Sequence, residues 1–417
     1  MNKRAILLAS AACVICGTAA AAEGNVPYSS FGHLDHVLVI MMENHSAAEV
    51  LGNAATPYIS GELTRDSNLA GNYWAVGHPS LTNYLEIVGG SNFGILDDNW
   101  PVWPNGGCVD NNPSGSGCGG AYAPLQGAGM DYGFPATVDA CLAPWFNQLG
   151  PLPQCKTVGT GSAIVTNNWG IVDYPSASYT AKTIAHQLVE SGRGWKSYQE
   201  SLPTTGSRVD GVNYSDGTFS NLSPVGAWVI GGSNVSVQKL YAVKHNPFAY
   251  FHDIETGTPD SGLSLAQVVD FTGPDGLYAD LARGSVPALA FVAPNQCHDM
   301  HGAGGGTAQC GDDSHALQMG DAALEQIVGA IKASPLWSEG RSAIVVVWDE
   351  NDYGNAPNQV ALFVQTNYGK HGHVSSHTYN HYSLTKTIEA ALGLPCLNHA
   401  CDSSTKVMSD LFGSEDD

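Results

Sequence analysis

Basic residues are scarce in this chain. Lys and Arg total 16 against 38 Asp and Glu, and charged residues make up 13% of the 417 residues, about half of the roughly 25% that is usual. The formal net charge of −22 excludes nucleic-acid binding through a general electrostatic surface, which needs clustered Lys and Arg. An anionic membrane surface would repel such a chain. The same acidity suits a protein that collects cations.

Long apolar runs are also missing beyond the N-terminus, so we expect no membrane span. Residues 1–22 have the pattern of an export signal. Lys3 and Arg4 precede a short apolar segment, and Ala20 to Ala22 supply a small-residue cleavage site. We therefore predict an exported protein, periplasmic or secreted, with a single domain over residues 23–417.

No pair among the cysteines that follow the export segment has Cys-x-x-Cys spacing, which leaves little basis for a cysteine zinc site. The chain has ten cysteines, and two of them belong to the export segment. The other eight fall into close pairs, and an even number in an exported protein indicates disulfides. Connectivity does not follow from sequence, but we expect local pairing: Cys108 with Cys118, Cys141 with Cys155, Cys297 with Cys310, and Cys396 with Cys401.

Apolar runs alternate with helical patterns, and 43% of the residues are hydrophobic, enough for a large core. Four runs have the continuous apolar character of strands buried on both faces: His36 to Met42, Val286 to Val292, Ala343 to Trp348, and Val360 to Val364. Helical spacing marks Gly320 to Ser334 and Leu384 to Leu392. The fold class predicted is α/β, with a mainly parallel central sheet flanked by helices. Residues 101–132 and 302–313 read as long, disulfide-fastened loops.

Polar clusters follow three of these predicted strands. Glu43-Asn44 follows the first and Asp349-Glu350 the third, and the second leads into Asn295, His298, Asp299 and His301. Ligands of open α/β sheets bind beyond the carboxyl ends of the strands. Such oxygen ligands suit Mg²⁺, Ca²⁺ or Mn²⁺, and histidines extend the choice to Zn²⁺ or Fe. Any one cluster alone could be a helix cap or a solvated turn, whereas three together indicate a divalent metal site.

Ser80 is the candidate nucleophile. The residues after it repeat with helical spacing, so a helix should begin here, with Pro79 in its first turn. The start of a helix favours an anion through its unpaired N–H groups and dipole, and a nearby metal would activate the hydroxyl. Asn83 lies one turn on and could donate to a phosphate oxygen. The alternative is that Ser80 is only a capping serine.

These residues resemble the phosphoesterase family of secreted acid phosphatases and phospholipases C, which belongs to the alkaline phosphatase superfamily. Six segments carry the resemblance, in the family's order and over most of the chain: Met42 to Ser46, His78 to Leu85, Lys244 to Phe248, Pro294 to His301, Trp348 to Glu350, and Asn380 to Ser383. Together they are specific, while any one alone would be a weak match.

The resemblance implies an alkaline-phosphatase-like fold and a role for each matched position. A metal ion would be held by the residues Glu43, Asn44, Asp349 and Glu350. Ser80 would be the nucleophile and would approach the metal. His245 and His301 would stabilise the transferred phosphoryl group or protonate the leaving oxygen.

Other histidines stay open between function and structure. His78 adjoins the candidate nucleophile but could simply pack under a turn, and His381 precedes a helix, where capping competes. The loop residues His371, His373 and His377 are expected to be solvated.

The function expected is metal-dependent hydrolysis of phosphate monoesters through a phosphoseryl intermediate. The substrate would be a phosphate-bearing small molecule or lipid. With few Lys and Arg available, we expect the metal, the helix start and protonated histidines to neutralise the phosphate, which suits an acidic pH optimum. Two alternatives are a phospholipase C or other phosphodiesterase that uses the same centre, and an inactive secreted binding protein.

Overall fold

The structure is a computed structural model, and it describes residues 32–93, 182–202, 240–251, 253–254, 257–302, 310, 313–352 and 358–413. Between 130 and 173 it also describes the backbone of four short strands. The expected export signal, most of the 101–132 loop and most of the 302–313 loop lie outside these residues. So does the disulfide predicted between Cys108 and Cys118. Of the pair Cys141 and Cys155, only the strand backbone at Cys155 is described.

The described strands, in chain order, are β1 His36–Met42, β2 Asn68–Ala70, β3 Tyr73–Trp74, β4 Met130–Tyr132, β5 Cys155–Thr157, β6 Ile164–Asn167, β7 Gly170–Asp173, β8 Trp195–Gln199, β9 Val268–Val269, β10 Leu289–Ala293, β11 Ser342–Trp348, β12 Leu362–Thr366, β13 Val374–Ser375 and β14 Tyr379–Asn380. Eight of them form the central sheet, in the order β13-β2-β12-β11-β1-β10-β8-β9. The remaining strands pair two by two as β14-β3, β4-β5 and β6-β7.

The centre of the sheet is parallel, as predicted. β1 lies between β10 and β11 and is parallel to both, and β8 continues the parallel pairing beyond β10. β12 pairs antiparallel with β11, and β2 antiparallel with β12. Every residue of β10 and β11 is buried, which explains their unbroken apolar sequences. The second and fourth predicted strands are present as β10 and β12, with bounds that differ from the prediction by a few residues.

The described α-helices are α1 Ala47–Val50, α2 Thr64–Asp66, α3 Ser80–Gly89, α4 Ile184–Glu190, α5 Leu277–Arg283, α6 Asp313–Lys332, α7 Pro335–Ser338 and α8 His381–Ala391. A π-helical turn covers Ile59–Leu63. Short 3-10 helices cover Val243–His245, Pro247–Tyr250, Pro259–Ser261, Leu265–Gln267, Asn398–Cys401 and Ser409–Leu411.

Two predicted helices are present with shifted starts. α6 begins seven residues before the predicted Gly320. Gly320 lies inside the helix. The side chain of Met300 occupies the space that a Cβ at this position would need, so this glycine permits a close contact and does not mark a helix boundary. α8 begins at His381 and contains most of the predicted apolar stripe, and Gly393 follows it with φ of 66°.

α3 begins at Ser80, as predicted, and Pro79 occupies the N-cap position and not the first turn. Every residue of α3 is buried, and Gly90 closes it in the left-handed conformation with φ of 68°. Such a C-terminus is typical of a glycine-capped helix. The fold therefore holds the candidate nucleophile at the first residue of a completely buried helix.

Two of the predicted disulfides are confirmed. Cys297 is bonded to Cys310, and Cys396 is bonded to Cys401. The first bond fastens the turn that follows β10, which carries Asp299 and His301. Among the described residues, no helix is both long and apolar enough to cross a membrane.

Candidate active site

The polar residues that follow β1, β10 and β11 meet at one edge of the sheet, because these three strands are neighbours and parallel. Two backbone N–H groups join the three strand ends. The backbone N–H of Glu43 donates to the backbone carbonyl of Asp299 at 2.7 Å. The backbone N–H of Asn44 donates to the side-chain Oδ1 of Asp349 at 3.1 Å. The predicted convergence of these carboxylates is therefore confirmed.

Ser80 reaches this cluster from the start of α3. Its Oγ lies 3.1 Å from Oε2 of Glu43 and 3.3 Å from Oε1 of Glu350. The serine is 1% exposed. A hydroxyl has a single hydrogen to donate, so one of two nearby carboxylates receives it at any moment. The serine thus lies among negative charges and at a helix N-terminus, the arrangement expected for a nucleophile that shares a site with a cation.

Burial makes the ionised forms of these acids costly. It raises the pKa of Glu43 well above its ordinary value, and the charges of Asp349 and Asp299 add to the rise. Burial and then the charge of Glu350 raise the pKa of Asp349 to about 8. Burial is also the main reason that the pKa of Asp299 is raised. Carboxylates gathered in this way need protons or a bound cation.

The donor set fits a divalent cation. Oδ1 of Asn44 and Oδ2 of Asp349 are buried and accept no hydrogen bond. Buried acceptors without donors are uncommon in proteins, and carboxylate and amide oxygens are the ligands that hard cations prefer. Among the described residues, Glu43, His245 and His301 also place one potential ligand atom each within 4.8 Å of one another.

His245 lies between two acids. Its Nδ1 is 3.1 Å from Oδ2 of Asp299, and its Nε2 is 3.1 Å from Oε1 of Glu43. The ring of Tyr84 stacks on it, with centroids 5.3 Å apart and planes within 9°. Burial and then the charge of Lys244 hold the pKa of His245 well below its ordinary value. Burial therefore opposes the protonated form of His245.

His301 lies beside His245, with ring centroids 5.5 Å apart. Its Nδ1 is 2.9 Å from the carbonyl oxygen of Gly302, and its Nε2 is 3.2 Å from Nζ of Lys244. Lys244 belongs to one of the six family segments, but no role was expected of it. The sequence could have singled it out, because lysine is rare in this chain and this lysine directly precedes the candidate catalytic residue His245.

Glu350 is held by two further side chains. Nδ1 of His78 is 2.6 Å from its Oε2, and the amide of Asn83 donates to the same oxygen at 3.1 Å. The second amide hydrogen of Asn83 goes to the carbonyl of Gly77 at 2.8 Å. Because both amide hydrogens are used, the hydrogen bonds favour Asn83 as a positioning residue rather than as the phosphate donor suggested by its place in the sequence.

A family model described as the Phosphoesterase family matches residues 54–395, which is most of the chain. The chain belongs to this family. It is therefore a hydrolase of phosphoric esters, and the resemblance seen in the sequence is confirmed.

Two named relatives agree with this assignment. The phosphoesterase is 22% identical over 383 residues to a phosphatidylinositol-3-phosphatase of Mycobacterium tuberculosis, covering 91% of this chain and 83% of the relative. It is 25% identical over 246 residues to a phosphate-repressible acid phosphatase of Penicillium chrysogenum, covering 58% of this chain and 49% of the relative.

Solved structures resemble the phosphoesterase more distantly. One is an alkaline phosphatase superfamily protein from Vibrio parahaemolyticus, with 13% identity and a TM-score of 0.43 over 88% of this chain and 69% of that one. Another is the lipoteichoic acid synthase LtaP from Listeria monocytogenes, with 9% identity and a TM-score of 0.44 over 93% of this chain and 78% of that one.

His381 contacts the backbone of Asp349, one of the predicted metal ligands. Its Nε2 lies 2.6 Å from the carbonyl oxygen of Asp349, and its Nδ1 lies 2.9 Å from the hydroxyl of Tyr73. Burial lowers the pKa of His381 to about 4, so the ring is neutral at ordinary pH. This histidine fixes the backbone at the end of β11, and Asn380, the residue before it, is the N-cap of α8.

His298 and Asn295 make their contacts away from the carboxylate cluster. His298 turns away from its neighbour Asp299 and pairs with Glu200, with Nδ1 2.8 Å from Oε1. Asn295 accepts backbone amides of the same turn. The histidines expected to be solvated are exposed, as predicted: His371, His373 and His377.

Proposed function

We propose that this phosphoesterase is an exported, metal-dependent acid phosphatase that hydrolyses phosphate monoesters through a phosphoseryl intermediate on Ser80. One observation carries the proposal. The Oγ of a buried serine at the start of a helix lies about 3 Å from two buried carboxylates, Glu43 and Glu350. A serine that only capped the helix would have no reason to share its hydroxyl with this cluster.

The metal ligands in this proposal are Glu43, Asn44, Asp349 and Glu350. The unpaired buried oxygens of Asn44 and Asp349 support them, and Mg²⁺, Ca²⁺, Mn²⁺, Zn²⁺ and Fe are all open. When bound, a divalent cation supplies Lewis-acid polarisation and favours the ionised form of a nearby hydroxyl.

The remaining steps belong to the chain's own residues. Ser80 Oγ attacks phosphorus, a bond from Oγ to phosphorus forms, and the bond from phosphorus to the leaving oxygen breaks. The hydrogen of Ser80 Oγ passes to Glu43 or Glu350, the two carboxylates beside it, and the leaving oxygen takes a proton from solvent and departs as the alcohol. Water then attacks the phosphoseryl group and loses a proton to solvent, the bond from phosphorus to Oγ breaks, and Oγ recovers its hydrogen from the carboxylate, which leaves inorganic phosphate and the restored serine. The dipole at the start of α3 favours the anion throughout.

His78 and Asn83 hold Glu350, and Asp299 holds His245, so that the groups around Ser80 keep one arrangement. Fixed dipoles and charges of this kind stabilise the charge that develops during phosphoryl transfer. His245, stacked on Tyr84 and buried, faces the cluster with its Nε2.

The preference for monoesters is supported by the names of both relatives, each of which is a phosphatase. The word acid rests on the Penicillium relative alone, since burial lowers the pKa of His245 and so opposes its protonated form. Export is supported by the two disulfides, because such bonds persist in oxidising compartments.

Substitution of Ser80 tests the mechanism. Ser80→Ala should lower kcat for a chromogenic phosphomonoester by several orders of magnitude, roughly as for loss of other catalytic nucleophiles, with little change in the melting temperature. Rapid acid quench with ³²P-labelled substrate should leave label on the peptide that spans His78 to Leu85. Ser334→Ala is the matched control, since Ser334 is a buried serine at the start of α7, remote from the carboxylates.

Other outcomes decide between the alternatives. A Ser80→Ala variant with near-normal rate and no labelled peptide would mean that water attacks directly and Ser80 only holds phosphate. Faster turnover of a phosphodiester than of the monoester would favour the phospholipase C or phosphodiesterase alternative. A metal-loaded wild type that turns over neither ester would leave the binding-protein alternative.

A further inference from the structure

We propose that Lys244 binds the phosphate group of the substrate and gives the site its preference for dianionic monoesters over monoanionic diesters. This inference rests on the proposed phosphatase function and assigns the cationic contact that the sequence did not reveal. Lys244 belongs to the 3-10 helix Val243–His245, which brings its side chain to the carboxylate and histidine cluster. Its Nζ lies 3.2 Å from Nε2 of His301.

Lys244 lies beside the groups that surround Ser80. Its Nζ is 3.2 Å from Nε2 of His301, and Glu43, His245 and His301 place one potential ligand atom each within 4.8 Å of one another. Oε2 of Glu43 is in turn 3.1 Å from Oγ of Ser80. Through His301, the ammonium is therefore placed close to the carboxylate that contacts the candidate nucleophile.

His301 holds Lys244 and not the phosphate. The carbonyl oxygen of Gly302 can only accept a hydrogen bond, so Nδ1 of His301 carries the ring hydrogen and donates it there. Nε2 then has a lone pair and accepts from the Lys244 ammonium. A neutral His301 has no second N–H to give to a phosphoryl oxygen. His301 is therefore a positioning residue for Lys244, in place of the phosphoryl contact inferred from its sequence match.

Burial differs among the groups of the cluster. Ser80, Glu43 and His245 are at most 2% exposed, whereas Lys244 and His301 are half-buried. The ammonium is therefore more accessible to an incoming anion than the candidate nucleophile is.

The charge balance makes this contact selective. Glu43, Asp349 and Glu350 carry more negative charge than one divalent cation offsets, so a phosphate dianion enters an acidic site. Lys244 reduces that repulsion. The monoester dianion carries one more negative charge than the diester, and it therefore depends more strongly on the ammonium.

Kinetics with two esters test the proposal. Lys244→Met should lower kcat/KM for p-nitrophenyl phosphate by about 100-fold, as for loss of one anion-stabilising group, and by less than about tenfold for bis(p-nitrophenyl) phosphate. Lys244→Arg should recover most of the monoester rate, because it keeps the charge. His301→Ala should shift the ratio of monoester to diester rates in the same direction by a smaller factor. Lys182→Met, at an exposed pair with Glu190, should change neither rate.

Equal losses with both esters, or an unchanged monoester rate in Lys244→Met, would overturn the assignment. Circular dichroism and the melting temperature check that each variant is folded, and Lys244→Gln serves if the methionine variant unfolds. The His301→Ala variant provides a second test, in which residue 244 is still lysine.

Equilibrium binding separates this inference from the proposed function. Isothermal titration of metal-loaded protein with inorganic phosphate should give a Kd at least about tenfold weaker in Lys244→Met than in wild type, with less than about threefold change for dimethyl phosphate. If the wild type turns over no monoester, the proposed function fails, and the phosphate titration still judges Lys244. Equal phosphate affinity in wild type and variant, or none in either, would refute the role of Lys244.

Discussion

Nδ1 of His245 lies 3.1 Å from Oδ2 of Asp299, and both side chains are buried. Nε2 of the same ring lies 3.1 Å from Oε1 of Glu43. The imidazole is therefore held between two buried carboxyl groups, and Asp299 fixes the position of the ring from the side opposite Glu43.

Asp299→Asn should therefore reduce kcat by about 100-fold, the scale expected when a supporting group of a metal or catalytic site is lost. The amide would replace the carboxyl group that faces Nδ1 of His245 and would no longer hold the ring with a negative charge. KM and the melting temperature should change little. The measurement is steady-state kinetics on the metal-loaded enzyme, together with thermal unfolding.

Asp402→Asn is the matched control for this substitution. His399 and Asp402 form the same kind of pair, with Nδ1 and Oδ2 2.9 Å apart, at a surface site. That variant should keep its full kcat. An Asp299→Asn enzyme with unchanged kcat and a raised KM would show that the carboxyl group of Asp299 does not support the reaction through His245.

Metal removal should abolish activity and should destabilise the protein in a pH-dependent way. The pKa of Asp349 is raised to about 8 by burial and the charge of Glu350, whereas an unfolded Asp titrates near 3.9, roughly. In the metal-free protein this raised pKa favours the folded state at low pH, and the stabilisation is lost progressively as the pH rises from about 4 to about 8. A bound cation instead favours the ionised carboxylates.

The difference in melting temperature between metal-loaded and chelated protein should thus widen between pH 5 and pH 8, taken as approximate limits. Differential scanning calorimetry at several pH values measures it. Metal binding should also release protons, and its affinity should rise with pH. A gap that stays constant over this range, or an active chelated enzyme, would argue against a metal at these carboxylates.

The pair of His298 and Glu200 should contribute stability below neutral pH. Burial alone would lower the pKa of His298, but the hydrogen bond to Glu200 and its negative charge together raise it above the ordinary value. A raised folded pKa means that the contribution is complete below the unfolded pKa of about 6.5. It is lost as the pH rises through the folded pKa.

Glu200→Gln should therefore destabilise the protein more at about pH 6 than at about pH 9, by at most about 1 kcal/mol, since the pair is partly exposed. Urea unfolding of both proteins at the two pH values provides the comparison. Equal destabilisation at both pH values would show that the effect comes from lost packing and not from the charged pair.

Much of this architecture can be read from local sequence. The run His36 to Met42 is apolar at all but one position and forms β1 with the predicted bounds, because a strand buried on both faces must be apolar throughout. The polar residues after β1 and β11 lie at the same sheet edge for an equally local reason, since parallel strands end on one side. The helix beginning at Ser80 follows from its own spacing and from its glycine terminus.

What only the tertiary structure decided is which of these groups touch. Asp299 faces His245, while His298 beside it points to Glu200, because successive residues of a tight turn project in different directions. Lys244 and His301 are 57 positions apart and meet only through the packing of a 3-10 helix against the turn after β10. Local sequence determines an element and the chemistry that it carries. The direction of a side chain, and the burial that shifts its pKa, depend on neighbours distant in the chain. Here they lowered the pKa of His245 and brought Lys244 beside His301.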